Sequence, residues 1–226
     1  MNAIAILYLQ QPNVLRDHLA QWAAPAFDGL ELIVVDDCSI QQPAAEVVRA
    51  AGMLGRVRVL RLDIGRPWDF TAGRNLCVQA ARSDAVLLCD CDMFVEPETA
   101  PALAAAQLAR GTFGVPARIA ERALCRSLVL IRRDDFLQPP LGGYDARFVG
   151  YECDQPFIAR RDALLRAVPL PDVTVRLIPN AGTNVWRRYD RNNMRLRDPA
   201  LFAALARPDA LPPGPPVPIP WHEVTA

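Results

Sequence analysis

The sequence predicts an α/β fold: a mostly parallel central sheet flanked by helices, in a single domain with a proline-rich C-terminal tail. Three observations carry that expectation. Short apolar runs alternate with segments of helical periodicity through residues 1–100. The second and fourth of those runs end in paired carboxylates. Seven prolines crowd residues 208–220, which favours an extended, polyproline-like segment over a packed element.

The apolar runs are Ala3–Leu9, Leu30–Val35, Val57–Leu62 and Ala85–Cys89, and each reads as a buried strand. Between them, Leu15, Leu19 and Trp22 share one helical face, Ala44–Ala51 favours a second helix and Leu76–Ala81 a third. Strands and helices alternating at this pace imply right-handed crossovers and parallel pairing. After Pro97, Glu98 and Thr99 suit the start of an alanine-rich helix over Ala100–Ala109. Residues 112–137 read as strands or connections, including the apolar run Leu128–Ile131. A loop follows over Pro139–Tyr144, then a helix over Pro156–Ala167, a late strand over Val173–Ile178 and an arginine-rich helix over Asn184–Leu196. The domain is expected to span residues 1–206, with the tail at 207–226.

At 226 residues and 24.9 kDa the chain is long enough to bury a core without staples. Its 51% hydrophobic and 22% charged residues exclude collagen, coiled coil and bulk disorder. The longest apolar run, residues 3–9, is far short of the ~20 residues a membrane-spanning helix needs. It also lacks the basic flank and cleavage site of a signal sequence, so a buried strand is the better reading. All 25 basic residues are arginine. Residues 1–100 hold 8 Arg and 13 acids (net −5), and residues 101–226 hold 17 Arg and 12 acids (net +5). That split suggests an acidic site early and an anion-facing surface late. Six cysteines without a C-x-x-C pair, and only two histidines, argue against a zinc cluster and for reduced thiols in a cytoplasm.

Ligands of parallel sheets sit at the carboxyl ends of the strands, which directs attention to the acids there. Asp90 and Asp92 follow the fourth run. In an extended segment, residues i and i+2 project to one side, so these two can share a hard divalent cation such as Mg²⁺ or Mn²⁺ and leave positions open for phosphates. The alternative is a pair of solvated loop acids. Asp36 and Asp37 end the second run. One can accept hydrogen bonds from a nucleobase or ribose, while the other, for which Asp37 is the natural choice, makes an Asx turn with Ser39 or caps the next helix. Arg74 and Asn75 begin the third helix, where an arginine suits a diphosphate, the alternative being a surface arginine.

Together these segments resemble glycosyltransferase family 2 and its relatives, which have the GT-A nucleotide-sugar-binding fold. The resemblance runs from Ala3 to about Arg161. Leu32-Ile33-Val34-Val35-Asp36-Asp37-Cys38-Ser39 is similar to the family's strand ending in Asp-Asp-x-Ser, and Gly73-Arg74-Asn75 with Ala80-Ala81 to its Ala-Arg-Asn-x-Gly helix. Val86–Pro97 resembles its Asp-x-Asp segment, and Ile131-Arg132-Arg133 with Gly142–Tyr151 its acceptor-side signature. The resemblance implies a donor nucleotide half at residues 1–98 and an acceptor half at 99–206. It implies Asp36 on the base or ribose, Arg74 on the diphosphate, Asp92 on the metal and Asp90 on ribose, sugar or a metal-bound water.

The sequence departs from the family at the general base. A Glu-Asp pair is expected after Gly150-Tyr151, but the chain reads Glu152-Cys153-Asp154-Gln155. Asp154 is the first choice for base and Glu152 the second; either could instead cap the following helix. A late histidine often completes the family's metal site, and His222 is the one late candidate, provided the tail folds back. His18 reads as a surface or helix-packing residue. Arg187, Arg188, Arg191, Arg195 and Arg197 form either a solvated helix face or a contact for an anionic acceptor, such as a lipid phosphate, an acidic glycan or nucleic acid.

The expected activity is metal-dependent transfer of a sugar from a nucleotide-diphosphate donor, a UDP-sugar by family habit, to an acceptor hydroxyl with inversion. The acceptor could be a glycan, a lipid or a modified nucleobase in DNA. A sugar nucleotidyltransferase would need a glycine- and arginine-containing loop after the first strand, where the chain has Gln10-Gln11-Pro12-Asn13. A non-catalytic member binding a nucleotide sugar or a partner protein is the other reading, favoured by the altered Glu-Asp pair.

Overall fold

The computed structural model describes residues 1–64, 69–119, 126–145, 154–178 and 219–225. The first half alternates as expected: β1 (Asn2–Tyr8), α1 (Pro12–Trp22), β2 (Leu30–Asp36), α2 (Ala44–Ala50), β3 (Val57–Leu62), α3 (Phe70–Gln79) and β4 (Ala85–Asp90). Then come β5 (Met93–Val95), α4 (Ala100–Ala105), β6 (Thr112–Ile119), β7 (Val129–Arg132), α5 (Arg133–Leu137), α6 (Gln155–Leu164), β8 (Arg166–Leu177) and β9 (Trp221–Val224).

These strands form one sheet in the order β5-β8-β6-β7-β4-β1-β2-β3-β9. Its heart, β4-β1-β2-β3, is parallel throughout, and β6 and β8 also run parallel. The strands β5, β7 and β9 join antiparallel, so the sheet is mixed at its flanks. Register puts Tyr8 opposite Asp36 and Leu7 opposite Asp90, so the carboxyl ends of β1, β2 and β4 finish at one level.

β1 is buried along its whole length because each face is covered. Ile4, Ile6 and Tyr8 pack with Leu15, Leu19 and Trp22 of α1 and Val47 and Val48 of α2. Ala3, Ala5 and Leu7 pack with Leu76, Cys77 and Val78 of α3. Helix α3 lies so close that a Cβ on Gly73 would stand 2.3 Å from Leu7 Cδ1, so a larger residue there would have to push the Leu7 side chain aside.

Four boundaries differ from expectation, each for a local reason. Helix α4 stops at Ala105 rather than Ala109 because Asn2 Nδ2 donates to the Leu103 and Ala106 carbonyls, both at 2.8 Å, and Ala106 turns extended. Helix α3 starts earlier than expected because Asp69 caps it, accepting from the Ala72 N–H at 3.0 Å. The late strand begins at Arg166, within the span expected to be helical, because Arg166 to Leu170 pair with β6. The end of the tail becomes strand β9, antiparallel on the open edge of β3, where it satisfies backbone groups water would otherwise hold. The polyproline-like stretch at 208–218 and the arginine-rich helix expected at 184–196 lie outside the described residues.

Candidate active site

The site forms at the carboxyl end of β4. Asp90 ends that strand, and Cys91 and Asp92 turn the chain into β5. Directly beneath lies Arg74, with no exposure, its guanidinium donating to the Asp90 carboxylate and to the Cys89 carbonyl, the latter at 2.8 Å. Burial, the largest effect, would lower the Arg74 pKa, but Asp90 together with Tyr144, Cys77 and Cys89 holds it above its ordinary value. Arg74 is thus a permanent buried cation under the acids. The structure places it beneath Asp90, which removes the surface-arginine alternative.

The other acids of the cluster are shifted. Burial, then repulsion from Asp90, raise Asp92 to about 6, against the opposing pull of Arg74. Burial and Asp90 likewise raise Asp154, while Arg74 and a hydrogen bond from Gln155 oppose the rise. Asp90 therefore acts on both of the others, and the structure brings together three of the acids singled out in the sequence. Asp154 occupies the N-cap position of α6 but makes no side-chain capping bond, so capping does not account for it. Glu152, the second candidate base, lies outside the described residues, as do Arg187, Arg188, Arg191, Arg195 and Arg197.

The turn expected of Asp37 is made by Asp36. Asp36 makes the Asx turn: its carboxylate accepts from the Ser39 N–H and the Ala44 N–H, both at 2.8 Å, and from Arg61 Nη1 at 3.3 Å. With 1% exposure and these three donors, it builds the turn and the start of α2 instead of reaching outward. Asp37 points the other way, its Oδ1 accepting from the Asp69 N–H at 3.1 Å, which ties the end of β2 to the approach to α3.

His222 does not reach the acids. It sits on β9 opposite Arg61, with Nδ1 2.8 Å from Asp63 Oδ2. Four strand spacings of about 4.8 Å separate β9 from β4, roughly 19 Å in all. The tail returns to the sheet, but to its far edge, because that is where unpaired backbone is available. His18, expected at a surface or in helix packing, is buried with 1% exposure under the Asp90–Asp92 turn.

The loop at residues 141–145 is fastened to α3 and α6 by contacts that sequence spacing could not show. Asn75 Nδ2 donates to the Tyr144 carbonyl at 2.9 Å, and the Tyr144 N–H donates to Asn75 Oδ1 at 2.8 Å. Arg160 Nη2 donates to the Gly143 carbonyl at 2.8 Å. Tyr144 stacks on Phe157 of α6 at 4.1 Å and meets Phe70 of α3 edge-on at 5.9 Å. The tyrosine thus joins the two helices that carry Arg74 and stand beside Asp154. Asn75 and Tyr144 are 69 positions apart, so only the Gly142-Gly143-Tyr144 signature hinted at the link.

No group of three or more His, Cys, Asp or Glu among the described residues is arranged to hold a metal alone. The donor chemistry nevertheless fits a hard divalent cation. Asp90 and Asp92 are carboxylates whose mutual repulsion such an ion would relieve, and a site with few protein oxygens leaves coordination for phosphates. No helix among the described residues is long and apolar enough to cross a membrane.

Among curated proteins, none is significantly similar in sequence. Many solved structures share the architecture, among them the following three. TarS of S. aureus superposes with a TM-score of 0.60 at 17% identity, covering 79% of this chain and 36% of TarS. The mannosyltransferase PcManGT of Pyrobaculum calidifontis, solved with GDP-Man and Mn²⁺, gives 0.58 at 17% identity, covering 82% and 59%. GalNAc-T7, solved with UDP, GalNAc and Mn²⁺, gives 0.61 at 17% identity, covering 79% and 44%. The chain therefore matches well under two thirds of the length of each. The sequence profile of glycosyl transferase family 2 matches residues 6–161. The matched span runs from β1 through the acid cluster to α6, and the chain belongs to glycosyltransferase family 2, on a GT-A fold.

Proposed function

We propose that the protein transfers a sugar from a nucleoside-diphosphate sugar to an acceptor hydroxyl, with a divalent cation, Mn²⁺ or Mg²⁺, at Asp90 and Asp92. The observation that carries this reading is the convergence of Asp90, Asp92 and Asp154 over the buried Arg74. Support also comes from neighbouring structures whose ligands include UDP, GDP-Man and Mn²⁺. A UDP-sugar is the proposed donor. Residues 1–98 would serve it and residues 99–206 the acceptor, with 207–226 as the tail. The four buried free thiols Cys38, Cys77, Cys89 and Cys91 are in keeping with a cytoplasmic setting.

In this reading Asp92 and Asp90 would hold the cation that draws the diphosphate end of the donor, and Arg74 fixes the Asp90 carboxylate in place. The cation would neutralise the charge that gathers on the departing nucleoside diphosphate. Asp154 takes the proton from the acceptor hydroxyl as its oxygen bonds to the anomeric carbon. The bond to the diphosphate oxygen breaks in the same displacement, which inverts that carbon. A raised pKa suits Asp154 to that task, because it brings the base towards the working pH.

Thermal-shift binding across UDP-, GDP-, CMP- and dTDP-sugars, with and without Mn²⁺, tests the proposal on wild type and Asp92→Asn. Stabilisation by one donor that requires metal and disappears in Asp92→Asn is expected. At a hundredfold excess over Kd it would amount to about 2.7 kcal/mol. Failure of every donor to stabilise the wild type with metal present would overturn the reading.

A further inference from the structure

The turn between Asp90 and Asp92 is held from below by α1. His18 shares the buried face of that helix with Leu15, Leu19 and Trp22. Its ring stacks on Phe94 at 3.9 Å and 7°, and Trp22 packs against it at 5.1 Å. Its Nε2 lies 2.8 Å from the Cys91 carbonyl oxygen, in the middle of the turn. Burial pushes the imidazole down to about 4, against the raising effect of that carbonyl, so the ring is neutral near pH 7. A neutral ring whose Nε2 faces a carbonyl carries its proton there.

Nδ1 is then a buried lone pair, and it has no hydrogen-bond partner among the described residues. Such a group loses its bond to water on burial and gains none in return. A phenylalanine would stack on Phe94 without that cost. What the imidazole supplies and a phenyl ring does not is the N–H directed at Cys91.

We infer that His18 is a positioning residue for the Asp90–Asp92 turn, its Nε2–H fixing the Cys91 carbonyl so that both carboxylates keep one orientation. The inference rests on the donor-site reading of those two acids. It is part of a wider arrangement in which three carbonyls along the turn are captured from three elements. Arg74 of α3 holds Cys89, His18 of α1 holds Cys91, and the Ile178 N–H at the end of β8 holds Asp92 at 2.9 Å. The histidine touches neither carboxylate. Its effect passes through the peptide plane between them, in the way groups behind a metal ligand govern its aim.

Three measurements on the full chain test this. In ¹⁵N-histidine-labelled wild type, which has only two histidines, His18 should show the Nε2–H tautomer. In metal-free protein, hydrogen exchange over residues 88–95 should accelerate in His18→Phe and return to the wild-type rate in His18→Gln, whose amide N–H replaces Nε2–H. Electron paramagnetic resonance with UDP should show Mn²⁺ binding weakened about 10–100-fold in His18→Phe. The same measurement should show His18→Gln within about threefold of wild type. An Nδ1–H tautomer, wild-type exchange and Mn²⁺ binding in His18→Phe, or a folded His18→Gln that rescues neither would overturn the inference. If His18→Phe does not fold, the tautomer and the glutamine variant decide. If the wild type itself binds no Mn²⁺ with UDP, the donor-site reading fails, and tautomer and exchange still decide how Cys91 is held.

Discussion

Arg74 donates to the Asp90 carboxylate from a position with no solvent exposure, while a second guanidinium nitrogen holds the Cys89 carbonyl at 2.8 Å. Its guanidinium also lies 4.9 Å from the centre of the Phe70 ring. This buried cation therefore bears on all three acids. Removing it should be costly. Arg74→Ala removes this counter-charge from beneath Asp90, Asp92 and Asp154, and urea unfolding of metal-free protein should show a loss of about 3 kcal/mol. Arg74→Lys keeps the charge but cannot hold both partners in the same fork, and should fall between the two. An Arg74→Ala protein as stable as wild type would remove the buttress from the argument.

Asp92 gives the metal-free protein a pH signature. Its folded pKa of about 6 lies above the ordinary 3.8, so the native state binds the proton more tightly than the unfolded chain. The stability it contributes is full below about pH 4 and is lost as the pH rises through 6. Asp92→Asn should therefore raise metal-free stability near pH 7 by on the order of 1 kcal/mol. It should also flatten the slope between pH 4 and 6 while abolishing the response to Mn²⁺. Thermal melts across that range check both halves.

Two aspartates should separate turnover from folding. Asp154→Asn is expected to lower turnover about 10²–10⁴-fold while leaving donor binding close to wild type. Asp36→Ala strips the Ser39 and Ala44 N–H groups of their acceptor and should cost about 2–3 kcal/mol of stability. Steady-state kinetics beside denaturant titration would distinguish the two. Full turnover in Asp154→Asn would move the base to Glu152.

Gly143 is a sensitive point of the loop at residues 141–145. Its φ is +74°, and an added Cβ would stand 2.7 Å from Asn75 Oδ1 and 3.1 Å from Phe136 Cε1. Gly143→Ala should lose about 2 kcal/mol through the left-handed backbone alone, and more if the Asn75–Tyr144 amide pair opens. Asn75→Ala, which removes both of those bonds, should reproduce the larger loss without backbone strain. Matched melts of the two variants test this.

The C-terminal strand covers the edge of β3. Glu223 on β9 accepts from Arg58 Nε and Nη2, both at 2.9 Å, and the same arginine reaches Glu31 on β2. Deleting residues 219–226 exposes that edge and unpairs Arg58 from Glu223. The melting temperature should drop by roughly 2–4 °C for each kcal/mol lost, and self-association should rise. Light scattering during the melt would show it.

The parallel heart of the sheet was readable in the chain because a strand buried on both faces must be continuously apolar, as Ala3–Leu9 and Ala85–Cys89 are. Asp90 and Asp92 were readable for a related reason, since charge at the end of such a run marks where the apolar strand stops. The short strands β5 and β9 were not, because three or four residues carry no periodicity and pair only when an edge is offered. Nor could spacing reveal that Asn75 meets Tyr144 or that His18 meets Cys91, contacts made across 69 and 73 positions. The sequence by itself determined which segments would be buried and which acids would stand at the strand ends, because hydrophobic period and local charge are properties of neighbouring residues. Tertiary structure alone decided that Arg74 lies beneath Asp90, that Asp36 and not Asp37 makes the turn, and that His222 joins the far edge. Those outcomes depend on which buried donors and acceptors find each other once the chain is packed, and no local pattern encodes that pairing.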